Sequence, residues 1–202
     1  MLEKLILIIV IVVLLIFIAR KKRNINKINI GEKKVNNILN KVNRYKLLSD
    51  VMIKSQNGTT QIDHILIGKK GIFVIETKDY SGLIYGDEYS KYWTQIINRN
   101  SNQFYNPIRQ NYGHVKSLER CIKRKDIFIS VVVFTNKSKL KKVKTDTPVI
   151  QLNKLKRFIK RYKSDIRLSK NEICEIYDLI RKSNIESSRA RKKHVKRISK
   201  IS

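Results

Sequence analysis

The sequence predicts a mixed α/β domain carried behind one membrane-spanning helix. Three observations predict it. There is an unbroken apolar run near the start. From Leu47 onward, short strand-like runs are separated by turn signals. Helical periodicities precede, interrupt and follow those strands. With 202 residues, the chain is long enough for one ordinary domain with a sizeable core and extra segments at its ends.

The apolar run is "LILIIVIVVLLIFIA", 15 residues from Leu5 to Ala19, followed at once by "RKKR". As a helix it spans about 22 Å, against a hydrocarbon core of about 30 Å. Met1 and Leu2 lengthen it, Lys4 and Arg20 can snorkel, and a bilayer can thin locally. A cleaved signal peptide is the rival reading. It calls for a basic start and small residues before a cut, whereas Glu3 and Lys4 cancel and the run ends in a basic cluster. A buried soluble helix would need a polar face, and this run has none. The expectation is an uncleaved anchor over residues 1–23 in the cell membrane. Arg20 to Arg23 place the rest of the chain on the cytoplasmic side.

Residues 24–29 suit a short solvated linker. Val35, Ile38, Leu39 and Val42 recur at helical spacing and predict a helix from about Glu32 to Arg44. Strands follow: "LLSDVMI", then "QIDHILI" and "IFVIETK" around Gly68 to Gly71, then a hairpin of "GLIYG" and "KYWTQII". "NPIRQNYGHVKSLERCIK" is helical, with Asn106 as its cap and Pro107 at its first position. "IFISVVVF" is a continuous β-branched run of the kind covered on both faces. "PVIQL" is a further short strand, and "LKRFIKRY" and "NEICEIYDLIRK" close the fold as helices over residues 156–186. The tail, residues 187–202, carries seven basic residues and no acid. It is expected to be disordered, either as a solubilising tail or in contact with nucleic acid or lipid headgroups.

The formal charge is +29, from 45 Lys and Arg against 16 Asp and Glu. That excess favours polyanionic partners, although a compositional drift toward Ile, Lys and Asn would also produce it. Cys121 and Cys174 match no metal-ligand or redox spacing, so no disulfide framework is implied. The chain has no Walker loop, serine nucleophile elbow or zinc spacing.

The chemistry concentrates in "QIDHILIGKKGIFVIETK", Gln61 to Lys78. A symmetric hairpin around Lys69 and Lys70 sets Asp63 opposite Glu76 and Gln61 opposite Lys78. One face then carries Gln61, Asp63, Glu76 and Lys78, and the other carries Ile62, Leu66, Phe73 and Ile75. Opposed carboxylates repel one another. A divalent cation between them removes the conflict, and two carboxylates plus waters are what Mg²⁺ usually accepts. Lys78 beside them could orient or deprotonate an attacking water. The plainer alternative is a surface hairpin with an Asp/Glu/Lys salt-bridge cluster.

These residues also resemble a family. "IGEKKV" at Ile30, "QIDHILIGKKGIFVIETKDYSGLIYG" at Gln61, "YWTQ" at Tyr92, "NPIRQNYGHVKSL" at Asn106 and "VVVF" at Val131 are similar, in order, to the NERD family. That is the nuclease-related domain, which itself resembles the PD-(D/E)XK nuclease superfamily. The resemblance covers residues 30–155. It implies a restriction-endonuclease-like α-β-β-β-α-β core, a mixed sheet flanked by helices. It implies Asp63 and Glu76 as catalytic metal ligands with Lys78 serving the water, the Thr77 carbonyl as another ligand, and Glu32 completing the metal site. Ile62 stands where the superfamily has proline. Gln95 and Gln110 match motif positions expected to position phosphate. The implied cofactor is Mg²⁺, with Mn²⁺ as the alternative, and the implied partner is DNA. The implied activity is hydrolysis of phosphodiester bonds. A catalytically idle module that binds nucleic acid or protein at the membrane is the alternative.

Among other side chains, His64 is expected to be packed and hydrogen-bonded on the face opposite Asp63. His114 is expected on the surface of its helix. Tyr92 and Trp93 are expected in the core rather than as base-stacking platforms.

Overall fold

A short helix, α1 (residues 30–39), opens the described part of the chain, which comprises residues 30–187, 189–192 and 194 of this computed structural model. The apolar run and its anchor lie outside the described residues. Among the described residues, no helix is long and apolar enough to cross a membrane. Helix α1 stops earlier than the periodicity predicts, because Asn40 and Asn43 are poor helix formers. The chain turns at residues 40–44, with Arg44 at φ 69°. Val42 keeps its place in the core from within that turn, at 5 % exposure.

Three long strands follow: β1 (Tyr45–Ser55), β2 (Gly58–Gly68) and β3 (Gly71–Lys78). Gly71 makes the turn into β3 possible. Its φ is +115°, and a Cβ there would sit 2.8 Å from the Ile127 carbonyl oxygen. Strands β4 (Gly82–Asp87), β5 (Tyr92–Ile97) and β6 (Asn100–Tyr105) come next, then helix α2 (Pro107–Ile122). Asn106 caps α2 by accepting from the Ile108 N–H, as its position before Pro107 predicts. The chain ends in β7 (Phe128–Phe134), β8 (Ser138–Lys144), β9 (Val149–Gln151), a 3₁₀ turn (Leu152–Lys154), α3 (Leu155–Arg161) and α4 (Lys170–Ser183).

These strands form two mixed sheets. The first runs β1-β2-β3-β7-β9, antiparallel as far as β3 and parallel from β3 through β9. The second runs β6-β5-β4-β8, with β4 and β8 parallel. Helices flank the first sheet on both faces. Ile65, Ile67, Ile72 and Val74 pack on Leu118 of α2 and Ile176 and Ile180 of α4. Leu66, Phe73 and Ile75 pack on Val35 and Leu39 of α1 and Leu155 and Ile159 of α3.

Strand β7 joins the two sheets. Val131 and Val133 face the α1–α3 core, while Val132 and Phe134 face a third core with Ile84, Trp93 and Ile108. That is the two-sided burial its β-branched run predicts. Trp93 stacks on Phe134 with centroids 6.1 Å apart, and its indole N–H donates to the Asp87 carbonyl at 2.9 Å. Tyr92, one residue earlier, points the other way and is 47 % exposed, which corrects the expectation that it lies in the core.

Candidate active site

The hairpin register matches the symmetric prediction from Gly68↔Gly71 as far as His64↔Ile75 and then ends. There the strands part. β3 continues along β7, pairing Glu76 with Val132 and Lys78 with Phe134, while β2 continues along β1. The Thr77 N–H, left without a strand partner on that side, donates instead to Asp63 Oδ2 at 2.7 Å. Asp63 therefore bridges the gap through its side chain rather than facing Glu76 across a rung.

The opposite edge of β2 is irregular at the same level. The β1–β2 ladder pairs Ser49 with His64 and Val51 with Ile62, and between those rungs Asp50 has φ 55°. The alternation inverts here. Ile62 joins Ile65 and Ile67 in the α2–α4 core instead of the opposite face. Gln61 is carried away from Lys78, and its amide donates to Asp50 at 2.7 Å.

Glu76 and Lys78 stand on the α2 side of β3. Glu76 is 2 % exposed, and both its oxygens are engaged. Lys78 Nζ lies 2.8 Å from Oε1 and His114 Nε2 lies 3.1 Å from Oε2. Lys78 also donates to Gln110 Oε1 at 2.8 Å, and the other ring nitrogen of His114 meets Thr60 Oγ at 2.7 Å. One helix face supplies these contacts. Gln110 and His114 are spaced four apart, and beside them the buried Asn111 amide donates to the Val74 carbonyl and to Ser130 Oγ, each at 2.8 Å. α2 is thus keyed to β3 and β7 by hydrogen bonds as well as by Leu118.

His114 is 5 % exposed, so its expected surface role is replaced by a buried contact to Glu76. The signal that could have found it is the four-residue spacing from Gln110. His64 is buried as expected, but its Nδ1 has no hydrogen-bond partner among the described residues.

The electrostatics divide the carboxylates. Burial opposes charge on Glu76, but the Lys78 ammonium and His114 outweigh it and hold the carboxyl down to about 2. Burial likewise opposes charge on Lys78, and Glu76 outweighs it, so the ammonium is held protonated. Asp63 is pushed well above the usual range by burial, then by the charges of Glu76 and Glu32; the Thr77 N–H opposes this only in part. Glu32 is raised by burial and by Asp50 and Glu76.

Glu32 reaches this cluster because α1 approaches the end of β3 closely. A Cβ on Gly31 would lie 2.7 Å from the Asp79 Cβ. Asp63, Glu76, Lys78, Glu32 and Gln110 therefore share one neighbourhood. Gln95 does not join them by any hydrogen bond among the described residues, and its amide donates to the Ser81 carbonyl at 2.8 Å.

Hard oxygen donors of this kind suit Mg²⁺, which takes one or two carboxylates and keeps several waters. Asp63 Oδ1 makes no hydrogen bond to a described residue, and burial disfavours the ionised form of both Asp63 and Glu32, a penalty that a bound cation would relieve. Among the described residues, no three or more His, Cys, Asp and Glu side chains stand ready-made as a metal cluster. The fit is therefore to a two-carboxylate site with water.

Residues 27–135 match the model of the nuclease-related domain, NERD. The chain is also 41 % identical over 172 residues to an uncharacterised protein of Bacillus anthracis, covering 82 % of this chain and 81 % of that protein. No solved structure matches it.

Proposed function

This chain belongs to the NERD, or nuclease-related domain, family, and from that premise we propose that it is a Mg²⁺-dependent nuclease hydrolysing phosphodiester bonds of DNA. We assign it a restriction-endonuclease-like core held on the cytoplasmic side by a membrane anchor at residues 1–23. The observation that carries the reading is the meeting of Asp63, Glu76 and Lys78 where β2 and β3 part.

Asp63 and Glu76 would hold the metal, with Glu32 and the Thr77 carbonyl as further donors and Mn²⁺ as a substitute. The metal, when bound, supplies charge stabilisation for the phosphate and lowers the pKa of a water. Lys78 is protonated, so its role is to place positive charge beside the phosphate and orient the attacking water rather than to take its proton. Gln110 positions Lys78, and His114 positions Glu76.

One observation favours a second reading, a catalytically idle module that binds nucleic acid or protein: both Glu76 oxygens are already engaged. Incubating the full chain with plasmid, linear and single-stranded DNA, in Mg²⁺, Mn²⁺ or EDTA, separates the two. Metal-dependent cleavage that Glu76→Ala abolishes supports the nuclease, and intact substrate in every condition supports the idle module. For the anchor, the full chain should pellet with membranes and resist salt extraction, and deletion of residues 1–23 should release it. Salt extraction of the full chain would overturn that assignment.

A further inference from the structure

Among the described residues, six large apolar or aromatic side chains are exposed, and four of them are tyrosines between residues 89 and 112. Single exposed hydrophobics are ordinary, but an exposed ring pair with two further exposed tyrosines on the adjoining turn and helix marks a contact surface. Tyr92 and Tyr105 oppose one another on β5 and β6, with centroids 6.3 Å apart and planes at 80°. They face outward because their strand neighbours Trp93 and Phe104 pack inward against Phe134. Tyr89 lies in the turn before β5 and is 77 % exposed; Tyr112 lies on α2 and is 61 % exposed.

The backbone beneath the rings is held. The Asp87 carboxylate accepts from the Tyr89 and Ser90 N–H groups at 2.8 Å, and the Asn106 amide donates to the Ser90 carbonyl at 2.7 Å. Arg109 donates to the Tyr89 carbonyl at 2.7 Å, which joins the turn to α2.

Cations accompany the rings. Lys91 Nζ lies 5.2 Å from the Tyr92 centroid and Lys116 Nζ lies 5.3 Å from that of Tyr112. The nearby carboxylates are spent internally. Asp87 is committed to its turn, Glu88 accepts from Thr147 Oγ at 2.7 Å, and Glu119 pairs with Lys116.

We propose that this tyrosine band binds single-stranded nucleic acid, stacking bases on Tyr92 and Tyr105 while Lys91 and Arg109 meet the phosphates. The chemistry is that of a stacking platform, in which neutral rigid rings take any base and adjoining cations take the backbone. A duplex, with its bases already stacked, gains nothing from the rings. Exposed rings on a chain of formal charge +29 favour a polyanion with exposed bases over a neutral protein surface. The proposal rests on the nuclease reading for its site. α2 carries Arg109 and Tyr112 on its exposed side and Gln110 and His114 on the side facing Lys78 and Glu76. The helix diameter, about 10 Å, separates the band from the candidate site.

The test is fluorescence anisotropy of the full chain with oligothymidylate, oligouridylate and a short duplex, all in EDTA so that affinity is read without hydrolysis. The joint change Tyr92→Ala and Tyr105→Ala should weaken single-strand binding about tenfold or more. Duplex affinity and the salt slope should be unchanged, and Tyr92→Phe with Tyr105→Phe should retain wild-type affinity. The pair Tyr89→Ala and Tyr112→Ala, at positions with little packing to lose, should weaken single-strand binding in the same sense if the first pair unfolds. Lys91→Ala should lower the salt slope by about 0.7. The two oligonucleotides distinguish DNA from RNA as the source of the strand. Equal losses for single strand and duplex, or no loss at all, would overturn the platform. So would a change in self-association without a change in nucleic-acid affinity. Ring-dependent binding in EDTA with no hydrolysis in Mg²⁺ would support the platform and sink the nuclease reading. Hydrolysis without ring dependence would sink the platform alone.

Discussion

In the first sheet, the charges of β2 and β3 are turned inward, and Glu76 has a partner on each oxygen at 2 % exposure. In the second sheet, Tyr92 and Tyr105 stand outward at 47 % and 46 % exposure, and among the described residues only the Trp93 face is packed. The difference follows from coverage. The first sheet lies between two helical layers, so a charge on either face must find a partner or lose several kcal/mol. The second has one covered face and is free to spend the other on contact. Chemistry that needs desolvated charge belongs on the first, and recognition that needs accessible rings belongs on the second.

The largest test of that division is Glu76→Ala, which should abolish metal-dependent cleavage. The same assay on Tyr92→Ala should keep metal-dependent cleavage but require more single-stranded substrate to reach it. A wild-type rate for Glu76→Ala would break the comparison at its root.

Next comes Trp93→Ala, which empties the third core and removes the ring stacked on Phe134. A loss of about 3–5 kcal/mol in urea unfolding is expected. A loss below 1 kcal/mol would show that the second sheet is not packed on β7 as described.

Lys78→Ala should slow cleavage by about two to three powers of ten, the scale of one lost electrostatic contact. It should also lower the melting temperature, because Glu76 keeps only His114. An unchanged rate with a lowered melting temperature would reduce the lysine to a structural ion.

His64 sharpens the same contrast through pH. Burial lowers its pKa from 6.5 to about 4, so the unfolded chain binds more protons between those values. Its share of stability is complete above pH 6.5 and declines as pH falls toward 4. The decline is at most roughly 3 kcal/mol. Urea titrations across that range should show the slope in wild type and a flatter one in His64→Asn. Equal slopes would mean that folding leaves the pKa of the ring unshifted.

The smallest effect concerns Asp63, whose raised pKa means that its ionised form opposes folding. The stability it lends is present below the ordinary carboxylate range and is lost as pH rises through its folded pKa. Asp63→Asn keeps an acceptor for the Thr77 N–H and removes the charge, so metal-free protein should melt a few degrees higher. A lower melting temperature would make Asp63 a needed partner of Lys78.

Much of this was legible because it is local. Pairs summing to the same number around Lys69 and Lys70 predicted the hairpin correctly from Gly68↔Gly71 to His64↔Ile75. Asn106 before Pro107 announced the start of α2, and an unbroken β-branched run announced that β7 is covered twice. β6 and β8 escaped notice because "NSNQFY" and "SKLKKVK" carry little strand preference. They are edge strands, paired by their neighbours rather than by their own composition. Within the tail, expected to be disordered, residues 189–192 are helical, and Arg191 holds the Asp50 carboxylate at 2.8 and 2.7 Å.

The sequence by itself determined the family, the inner part of the hairpin, the cap of α2 and the candidates Asp63, Glu76, Lys78, Glu32 and Gln110, but not His114. Each of these is written in spacings of two or four residues, or in a motif read without gaps. Only the tertiary structure decided how those residues meet. β2 and β3 part at Asp63 because each is claimed by a different neighbouring strand. Gln61 leaves Lys78 for Asp50. His114 reaches Glu76, 38 residues away, because Asn111, Gln110 and Leu118 seat α2 across β3. Spacing along a strand gives the side a residue faces, but the partner on that side is chosen by whichever element packs there.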